Sequence, residues 1–112
     1  MPFVNLKELR QVEPVPGFHL RFVHSDAMTI AFWDVEEGAV MPEHSHSHEQ
    51  IAVVVEGEFE LTLSGETRLL TAGEIAVIPS GEPHSGKAMS RCRLHDAFHP
   101  KRDDFDVPRT TM

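Results

Sequence analysis

Residues 38–57 read GAVMPEHSHSHEQIAVVVEG, and residues 73–88 read GEIAVIPSGEPHSGKA. In the first segment, His44, His46 and Gln50 are separated by even numbers of positions. Because residues two apart on an extended strand point to the same side, these three side chains can reach one metal ion. In the second segment, a rigid proline-containing turn leads to His84, which can approach the same ion from a neighbouring strand. A His-x-His pair by itself is equally typical of a solvated surface, so the surrounding sequence decides the interpretation.

Evenly spaced glycines indicate an all-β domain. Gly57, Gly65, Gly73 and Gly81 recur every eight residues, and each lies between short stretches that have the character of strands. Apolar and polar residues alternate over 58–64, which is the pattern of a strand with one buried and one exposed face. Many short strands with regular turns predict either a β-sandwich or a small closed barrel.

Other segments complete the predicted secondary structure. The apolar runs Ile51–Val55 and Ile75–Ile78 are expected to be strands that are covered on both faces or that line a barrel. A further strand is predicted over Phe18–Val23, and a helix of one or two turns over Asn5–Val12, whose first residue can act as a cap. The polar tail after Pro100 is expected to be loose in its last few residues.

Composition limits the size and the partners of this protein. With 112 residues, the chain is expected to form one domain over 1–112, with the barrel core at about 25–100. The net charge of −8 disfavours nucleic acid as a partner, because nucleic-acid binders need a basic surface. No apolar run is long enough to span a membrane and the N-terminus lacks the layout of a signal peptide, so we expect a cytoplasmic protein. The single cysteine, Cys92, is expected to be a packed thiol.

Two motifs in the quoted segments resemble those of the cupin superfamily. In the first, glycines at 38 and 57 bracket the His-x-His pair and Gln50, and in the second, Gly73 precedes Pro79-x-Gly81 and His84. Fifteen residues separate the motifs, which resembles the short spacing of small microbial cupins. The resemblance implies a single-domain, all-β cupin fold, a double-stranded β-helix with a jelly-roll-like barrel. It also implies one divalent metal ion with four ligands, His44, His46, Gln50 and His84.

Two positions depart from the common cupin pattern. Gln50 stands where a glutamate is usual, and Ala88 replaces an asparagine. The run HSHxHEQ resembles a sub-group of small cupins that has a three-His, one-Gln site. A neutral amide ligand leaves the full charge of the ion available to polarise or anchor an anionic substrate. The metal can be nickel, zinc, iron, manganese, cobalt or copper, and His48 or Glu49 can serve as a ligand instead if the strand bulges.

The C-terminal segment contains the candidate catalytic residues. Asp96, Phe98 and Arg102 match the D-x-F-x-x-x-R-x-D-F ending of the family of pectin-degradation proteins called KdgF, which the HSHxHEQ run also resembles. This resemblance implies ring opening of 4,5-unsaturated monouronates to linear keto-aldehyde acids. It further implies that Asp96 moves protons, that Arg102 pairs with the carboxylate of a small anionic, sugar-like substrate, and that Phe98 forms an apolar wall.

Other interpretations of these residues stay open. Asp96 can be a satisfied hydrogen-bond acceptor, Arg102 a solvated charge and Phe98 a core residue. The same ligand set suits a metal-dependent dioxygenase of the quercetinase or diketone type, or a non-catalytic cupin that binds a sugar or another small molecule. His19, like the other histidines outside the motifs, is expected to be an ordinary surface or core residue. We also expect a homodimer, because small barrels leave strand edges exposed.

Overall fold

The computed structural model describes residues 3–106. Ten β-strands make up most of this range, with one 3₁₀ turn before the first strand and another after the last. The strands are β1 (Val12–Val15), β2 (Phe18–His24), β3 (Thr29–Val35), β4 (Val40–His44), β5 (Glu49–Glu56), β6 (Glu58–Leu63), β7 (Glu66–Thr71), β8 (Ile75–Ile78), β9 (His84–Ala88) and β10 (Cys92–His99). The 3₁₀ turns are Leu6–Glu8 and Asp103–Asp106. Within residues 3–106, no helical segment has the length and hydrophobicity needed to cross a membrane.

The strands form two antiparallel sheets that enclose the core. One sheet has the order β1-β2-β3-β10-β5-β8, and the other has the order β4-β9-β6-β7. Alternate residues turn inward, as in β10, where Cys92, Leu94, Asp96 and Phe98 are buried and the residues between them are more exposed. This arrangement confirms the predicted all-β, jelly-roll-like barrel. Cys92 is buried, in agreement with its expected role as a packed thiol.

The position of β10 brings candidate site residues to the interior. This strand pairs with β3 on one side and with β5 on the other. Its register places Asp96 between Ala31 and Ala52, and Phe98 opposite Gln50. Paired residues on neighbouring strands point to the same face of a sheet. The side chains of Asp96, Phe98 and Gln50 therefore all face the inside of the barrel.

The prediction of a helix over Asn5–Val12 is wrong. Only Leu6–Glu8 form a 3₁₀ turn, which the side chain of Asn5 caps, and none of its residues is buried. A helix this short gains little stability without an apolar face to bury, so the turn does not extend. Val12–Val15 instead form β1, whose position at the edge of the sheet accommodates Pro14, since an edge strand has N–H groups with no partner strand.

The predicted strands over Phe18–Val23, Ile51–Val55 and Ile75–Ile78 are confirmed as parts of β2, β5 and β8. Of the two environments expected for the apolar runs, the structure shows strands that line the barrel. Their inward-facing residues are the more buried ones. On the outer face, by contrast, Ile51 is 47% exposed and Val77 is 67% exposed.

Gly57 illustrates why the evenly spaced glycines are needed. Its φ is +90°, a conformation that residues with a Cβ atom rarely adopt. A Cβ atom built at this position would lie 2.2 Å from the carbonyl oxygen of Arg91. The other three glycines of the series also have positive φ, so the spacing marks the turns of the barrel as predicted.

The segment after β10 packs against the barrel. Phe105, in the second 3₁₀ turn, is buried, and its ring contacts the rings of Phe22 and Phe98. The polar tail therefore contains one anchoring aromatic residue that its composition did not indicate. The expectation of a loose end concerns residues 107–112, which lie outside the described residues.

Candidate metal centre and active site

Three histidines from two separate segments of the chain come together. His44 ends β4 and is paired with His84 at the start of β9, while His46 lies in the loop that leads to β5. The ring centroid of His84 lies 4.3 Å from that of His44 and 5.0 Å from that of His46. One nitrogen from each ring lies within 4.8 Å of the other two, so the cluster can hold a metal ion.

The backbone holds each of these rings in place. In all three, Nδ1 lies within hydrogen-bond distance of a carbonyl two residues away: His44 with Pro42 at 2.8 Å, His46 with His48 at 2.9 Å, and His84 with Glu82 at 2.8 Å. A carbonyl oxygen only accepts, so Nδ1 carries the proton and Nε2 keeps its lone pair. Histidines that bind metals are commonly oriented by contacts of this kind. All three Nε2 atoms are thus available as ligands.

The surroundings keep the inner rings neutral. His84 is buried, and its Nε2 has no hydrogen-bond partner among residues 3–106. Burial lowers the pKa of both His46 and His84, and the charge of Arg102 lowers both further. A buried lone pair without a donor is unfavourable, and a divalent ion would satisfy it. This donor set therefore fits the metal that the sequence implies.

Gln50 adjoins the cluster from β5. It is buried, and its Oε1 lies 3.2 Å from Nε2 of His46. Because His46 carries its proton on Nδ1, both of these atoms are acceptors, and two facing acceptors repel each other unless a cation lies between them. The position of Gln50 therefore suits a fourth ligand.

The candidate ligands do not lie on one strand, contrary to the geometry expected for residues 44–50. His44 belongs to β4, His46 to the connecting loop and Gln50 to β5. They converge because the chain turns from one sheet to the other between β4 and β5, and not because alternate residues of one strand point to the same side. Glu49 is exposed, and neither it nor His48 belongs to the group of converging ligand atoms found in residues 3–106.

Asp96 is a buried carboxyl group beside this cluster. It is 7% exposed, and its Oδ2 accepts a hydrogen bond of 3.1 Å from the indole Nε1 of Trp33. Burial raises the pKa of Asp96 to about 7, although Trp33, Arg102 and Gln50 favour the charged form. In the metal-free protein both protonation states are therefore populated near neutral pH, as a group that transfers protons requires.

Phe98 and Arg102 are in contact next to the histidines. The ring centroid of Phe98 is 5.8 Å from that of His46, and the guanidinium of Arg102 lies 4.6 Å from the Phe98 centroid. Asp104 accepts two hydrogen bonds from Arg102, of 2.9 and 2.7 Å, and these lower the pKa of Asp104. One edge of the Arg102 fork is therefore already paired within the chain.

These groups line a single cavity of about 250 Å³. Its polar lining includes the three histidines with Gln50, Asp96, Arg102 and Asp104. Much of the remaining wall is apolar and includes Phe18, Trp33, Phe59, Leu61 and Leu94. A mostly apolar wall with a few converging polar groups is typical of a small-molecule site.

Reasoning from the sequence assigned no role to three residues of this site, Trp33, Asp104 and Phe105. Trp33 lies 63 positions from Asp96 in the chain, and no local pattern links the two. Asp104 and Phe105 form the end of the C-terminal motif, so the resemblance was the only signal that could have pointed to them.

A second group of potential ligands lies apart from the cavity. It consists of Glu13, His19 and Glu36. Nε2 of His19 lies 2.6 Å from the carboxylate of Glu36, and Nδ1 lies 3.9 Å from that of Glu13. Both ring nitrogens therefore already face a carboxylate.

Comparison with known proteins agrees with the fold. The family model of the cupin domain matches residues 31–98, from β3 to β10. The chain belongs to the cupin family. The match includes all four candidate metal ligands and ends at Phe98, so Arg102 and the segment that follows lie beyond it.

The most informative relatives of this cupin are of two kinds. Pectin degradation protein KdgF of Dickeya dadantii is 35% identical over 83 residues, which cover 72% of this chain and 76% of that protein. The structure of KdgF from Halomonas sp. has a TM-score of 0.87 at 31% identity and covers 94% of this chain and 98% of that chain. Quercetin 2,3-dioxygenase of Bacillus subtilis is 43% identical over 72 residues, or 62% of this chain but 21% of that enzyme. The similarity to KdgF thus extends over most of both proteins.

Proposed function

We propose that this cupin is a metal-dependent enzyme that opens the ring of 4,5-unsaturated monouronates in the breakdown of pectin-like or alginate-like polysaccharides. One observation carries the proposal: a carboxyl group with a pKa of about 7, a cluster of three histidines and an arginine all line one cavity. The similarity to two KdgF proteins supports the same substrate class.

The residues that line the cavity can each have a distinct role in this reaction. His44, His46, His84 and Gln50 would hold a divalent ion, which would supply Lewis acidity toward a substrate oxygen. Arg102 pairs with the uronate carboxylate, and Phe98 packs against the sugar ring. Ring opening breaks the bond between the anomeric carbon and the ring oxygen. The anomeric hydroxyl gives up its proton and becomes the aldehyde carbonyl, and the ring oxygen takes up a proton and becomes the hydroxyl of an enol at C5. Asp96 then delivers a proton to C4 while the enol hydroxyl gives up its proton, which yields the ketone with no net gain or loss of atoms.

The decisive test is a turnover assay with 4,5-unsaturated galacturonate. Metal-loaded protein is expected to accelerate the loss of the double-bond absorbance relative to the spontaneous reaction, and chelated protein is not. The glucuronate-derived substrate is assayed in parallel, because both share the carboxylate and the double bond. If no first-row metal yields acceleration with either substrate, the ring-opening assignment is rejected and the metal site is not affected.

A second candidate function is oxygen chemistry on an apolar substrate. It is favoured by the apolar part of the cavity wall and by the identity of 43% to part of quercetin 2,3-dioxygenase. Oxygen consumption with a flavonol or a diketone in the presence of iron, nickel or copper would support this candidate. Tight binding of a sugar acid with neither turnover nor oxygen uptake would favour a non-catalytic binding protein instead.

The homodimer is proposed to form through the outer face of the six-stranded sheet. Across this face the register aligns Ile30, Ala97, Ile51 and Val77 in one row over four neighbouring strands. Three of these four are at least 39% exposed in the single chain. A continuous exposed apolar row of this kind commonly marks an association surface, and a second copy of the same face is complementary to it.

The oligomeric state is measured by size-exclusion chromatography with light scattering. Ile51→Glu is expected to shift the protein toward the monomer, because it introduces a charge in the middle of the row. Val40→Glu, at a position that is 51% exposed on the other sheet, is the matched control and is expected to leave the dimer intact. A monomeric wild type, or equal effects of both variants, would reject this surface as the interface.

A further inference from the structure

The guanidinium of Arg102 is enclosed by two aromatic rings. Its Cζ lies 4.6 Å from the ring centroid of Phe98 and 4.3 Å from that of Phe105. The two rings are almost perpendicular to each other, and Phe105 also packs against Phe22. The Arg102 side chain is only 13% exposed. Cations are attracted to the faces of aromatic rings, so this arrangement restricts the position of the charge.

Asp104 fixes the remaining orientation of that group. Its two carboxylate oxygens accept from Nε and Nη2 of Arg102, at 2.9 and 2.7 Å. Such a bidentate pair fixes the plane of the fork as well as its distance. The backbone is held too, because the N–H of Arg102 donates to Oγ1 of buried Thr29 at 2.8 Å.

One end of the fork is left for another partner. Nη1 of Arg102 makes no hydrogen bond to residues 3–106, whereas Nε and Nη2 are paired with Asp104. Arg102 and Asp104 both line the cavity. A guanidinium carries five N–H donors, and the end formed by Nη1 and Nη2 can bind a second carboxylate while Asp104 keeps the first edge.

We infer that Asp104 and Phe105 are positioning residues that hold the free end of the Arg102 guanidinium toward the cavity, where it receives the substrate carboxylate. The inference rests on the proposed function for the identity of the substrate. The arrangement of the Arg102, Asp104 and Phe105 side chains does not depend on that identity. Because the cation is already ordered, binding a carboxylate does not have to immobilise a long, flexible side chain.

The kinetic test compares Asp104→Asn and Phe105→Leu with Asp103→Asn. Both positioning variants are expected to raise KM for the unsaturated uronate by about tenfold and to change kcat by less than about threefold, because they loosen binding and leave the proton-transfer group in place. Asp103 is the matched control, since its side chain is 82% exposed and its ion pair within residues 3–106 is the one with Lys101 at 3.9 Å. Asp104→Glu is expected to recover part of the loss, because it keeps the carboxylate.

Double variants separate positioning from direct effects. If Asp104 acts only through Arg102, Asp104→Asn has no further effect in an Arg102→Ala background. Equal effects in both backgrounds would overturn the inference. So would a lower KM in Asp104→Asn, since that result would show that Asp104 competes with the substrate carboxylate for Arg102.

A measurement without substrate keeps this test independent of the reaction. In ¹H–¹⁵N NMR spectra, the Nε–H signal of Arg102 is expected to be shifted by the two rings and to be sharp in wild type and Asp103→Asn. It is expected to broaden or move in Asp104→Asn and Phe105→Leu. An unshifted, mobile signal in the wild type overturns the inference. An ordered signal in a wild type without uronate turnover rejects the ring-opening function and leaves the arrangement around Arg102 standing.

Discussion

Among residues 3–106, two clusters of histidines and carboxyl groups can be compared, and one of them has the properties of a metal site. In the cavity cluster of His44, His46 and His84, each Nδ1 faces a backbone carbonyl and each Nε2 is left as an acceptor. In the outer cluster, the two nitrogens of His19 face Glu36 and Glu13. Both clusters have three potential ligands within 4.8 Å of one another. What distinguishes a ligand set is therefore the direction and the satisfaction of the lone pairs.

The carboxyl groups near the two clusters, Asp96 and Glu36, differ in their exposure to water. Asp96 is 7% exposed, and burial raises its pKa from the ordinary 3.8 to about 7. The side chain of Glu36 is 65% exposed, so water solvates its charge. Asp96 can gain or lose a proton near neutral pH because the barrel removes its carboxyl group from water.

The largest effect is expected from removing one histidine from each cluster. His84→Ala should reduce bound divalent metal from about one ion per chain to about a tenth or less, because the remaining donors no longer surround the ion. His19→Ala should leave the metal content unchanged. Both are measured by elemental analysis after dialysis, with circular dichroism to confirm folding. Equal metal loss in the two variants would remove the distinction between the clusters.

The second effect concerns the carboxyl groups. Asp96→Asn should lower uronate turnover by at least about a hundredfold, since a positioned general acid or base commonly contributes that much. Its metal content should stay intact. Glu36→Gln removes a carboxylate outside the cavity and should retain full turnover. Unchanged turnover in Asp96→Asn would exclude Asp96 from the mechanism.

The third effect is on stability and depends on pH. The folded-state pKa of Asp96, about 7, lies above its ordinary value of 3.8, so the fold favours the protonated form. This contribution is fully present below pH 4 and is lost as the pH rises toward 7, by up to about 4 kcal/mol. Asp96→Asn, which cannot ionise, should therefore stabilise the metal-free protein at pH 8.5 and change its stability little at pH 4. Thermal unfolding of chelated wild type and variant at both pH values measures this difference, and a gain that is independent of pH would contradict the shifted pKa.

The smallest effect is expected in the outer cluster. The pairing of His19 with Glu36 is exposed to water, and such pairs contribute about 0.2–1 kcal/mol. Glu36→Gln should therefore lower the melting temperature by no more than about 5 °C at pH 6 and by less in high salt. Salt-dependent thermal unfolding measures this. A loss as large as that from a core substitution would mean that the outer cluster is a structural element of the fold.

Much of the fold followed from local pattern. Positive φ at Gly57 and at the other glycines of its series is a backbone requirement that spacing alone can reveal. The helix over Asn5–Val12 failed because local propensity competes with pairing, and β1 gains a partner strand in β2. The apolar runs correctly identified β5 and β8 as strands. Only the structure showed that one face of each strand is buried, since Ile51 and Val77 on the other face are exposed.

The candidate site was also predicted only in part. His44, His46, Gln50 and His84 were predicted as ligands from the resemblance to the two cupin motifs, because a His-x-His pair by itself is equally typical of a solvated surface. The way in which they converge could not be predicted from the sequence. The four residues lie on β4, in the loop after it, on β5 and on β9, and no regular strand geometry brings those positions together. The contacts of Arg102 were likewise only partly predictable. Its pairing with Asp104 joins residues two apart, whereas its contact with the ring of Phe98 forms only because the segment after β10 packs against the barrel.

The sequence by itself determined the turns, the all-β architecture and which histidines could serve as ligands, because these depend on residue type and on short, regular spacing. Only the tertiary structure decided which groups lose contact with water. Trp33 meets Asp96 across 63 residues, and burial there moves a carboxyl pKa to about 7. Desolvation is a property of the whole enclosing barrel and of no single segment, so the raised pKa of Asp96 arises only when the two sheets close around it.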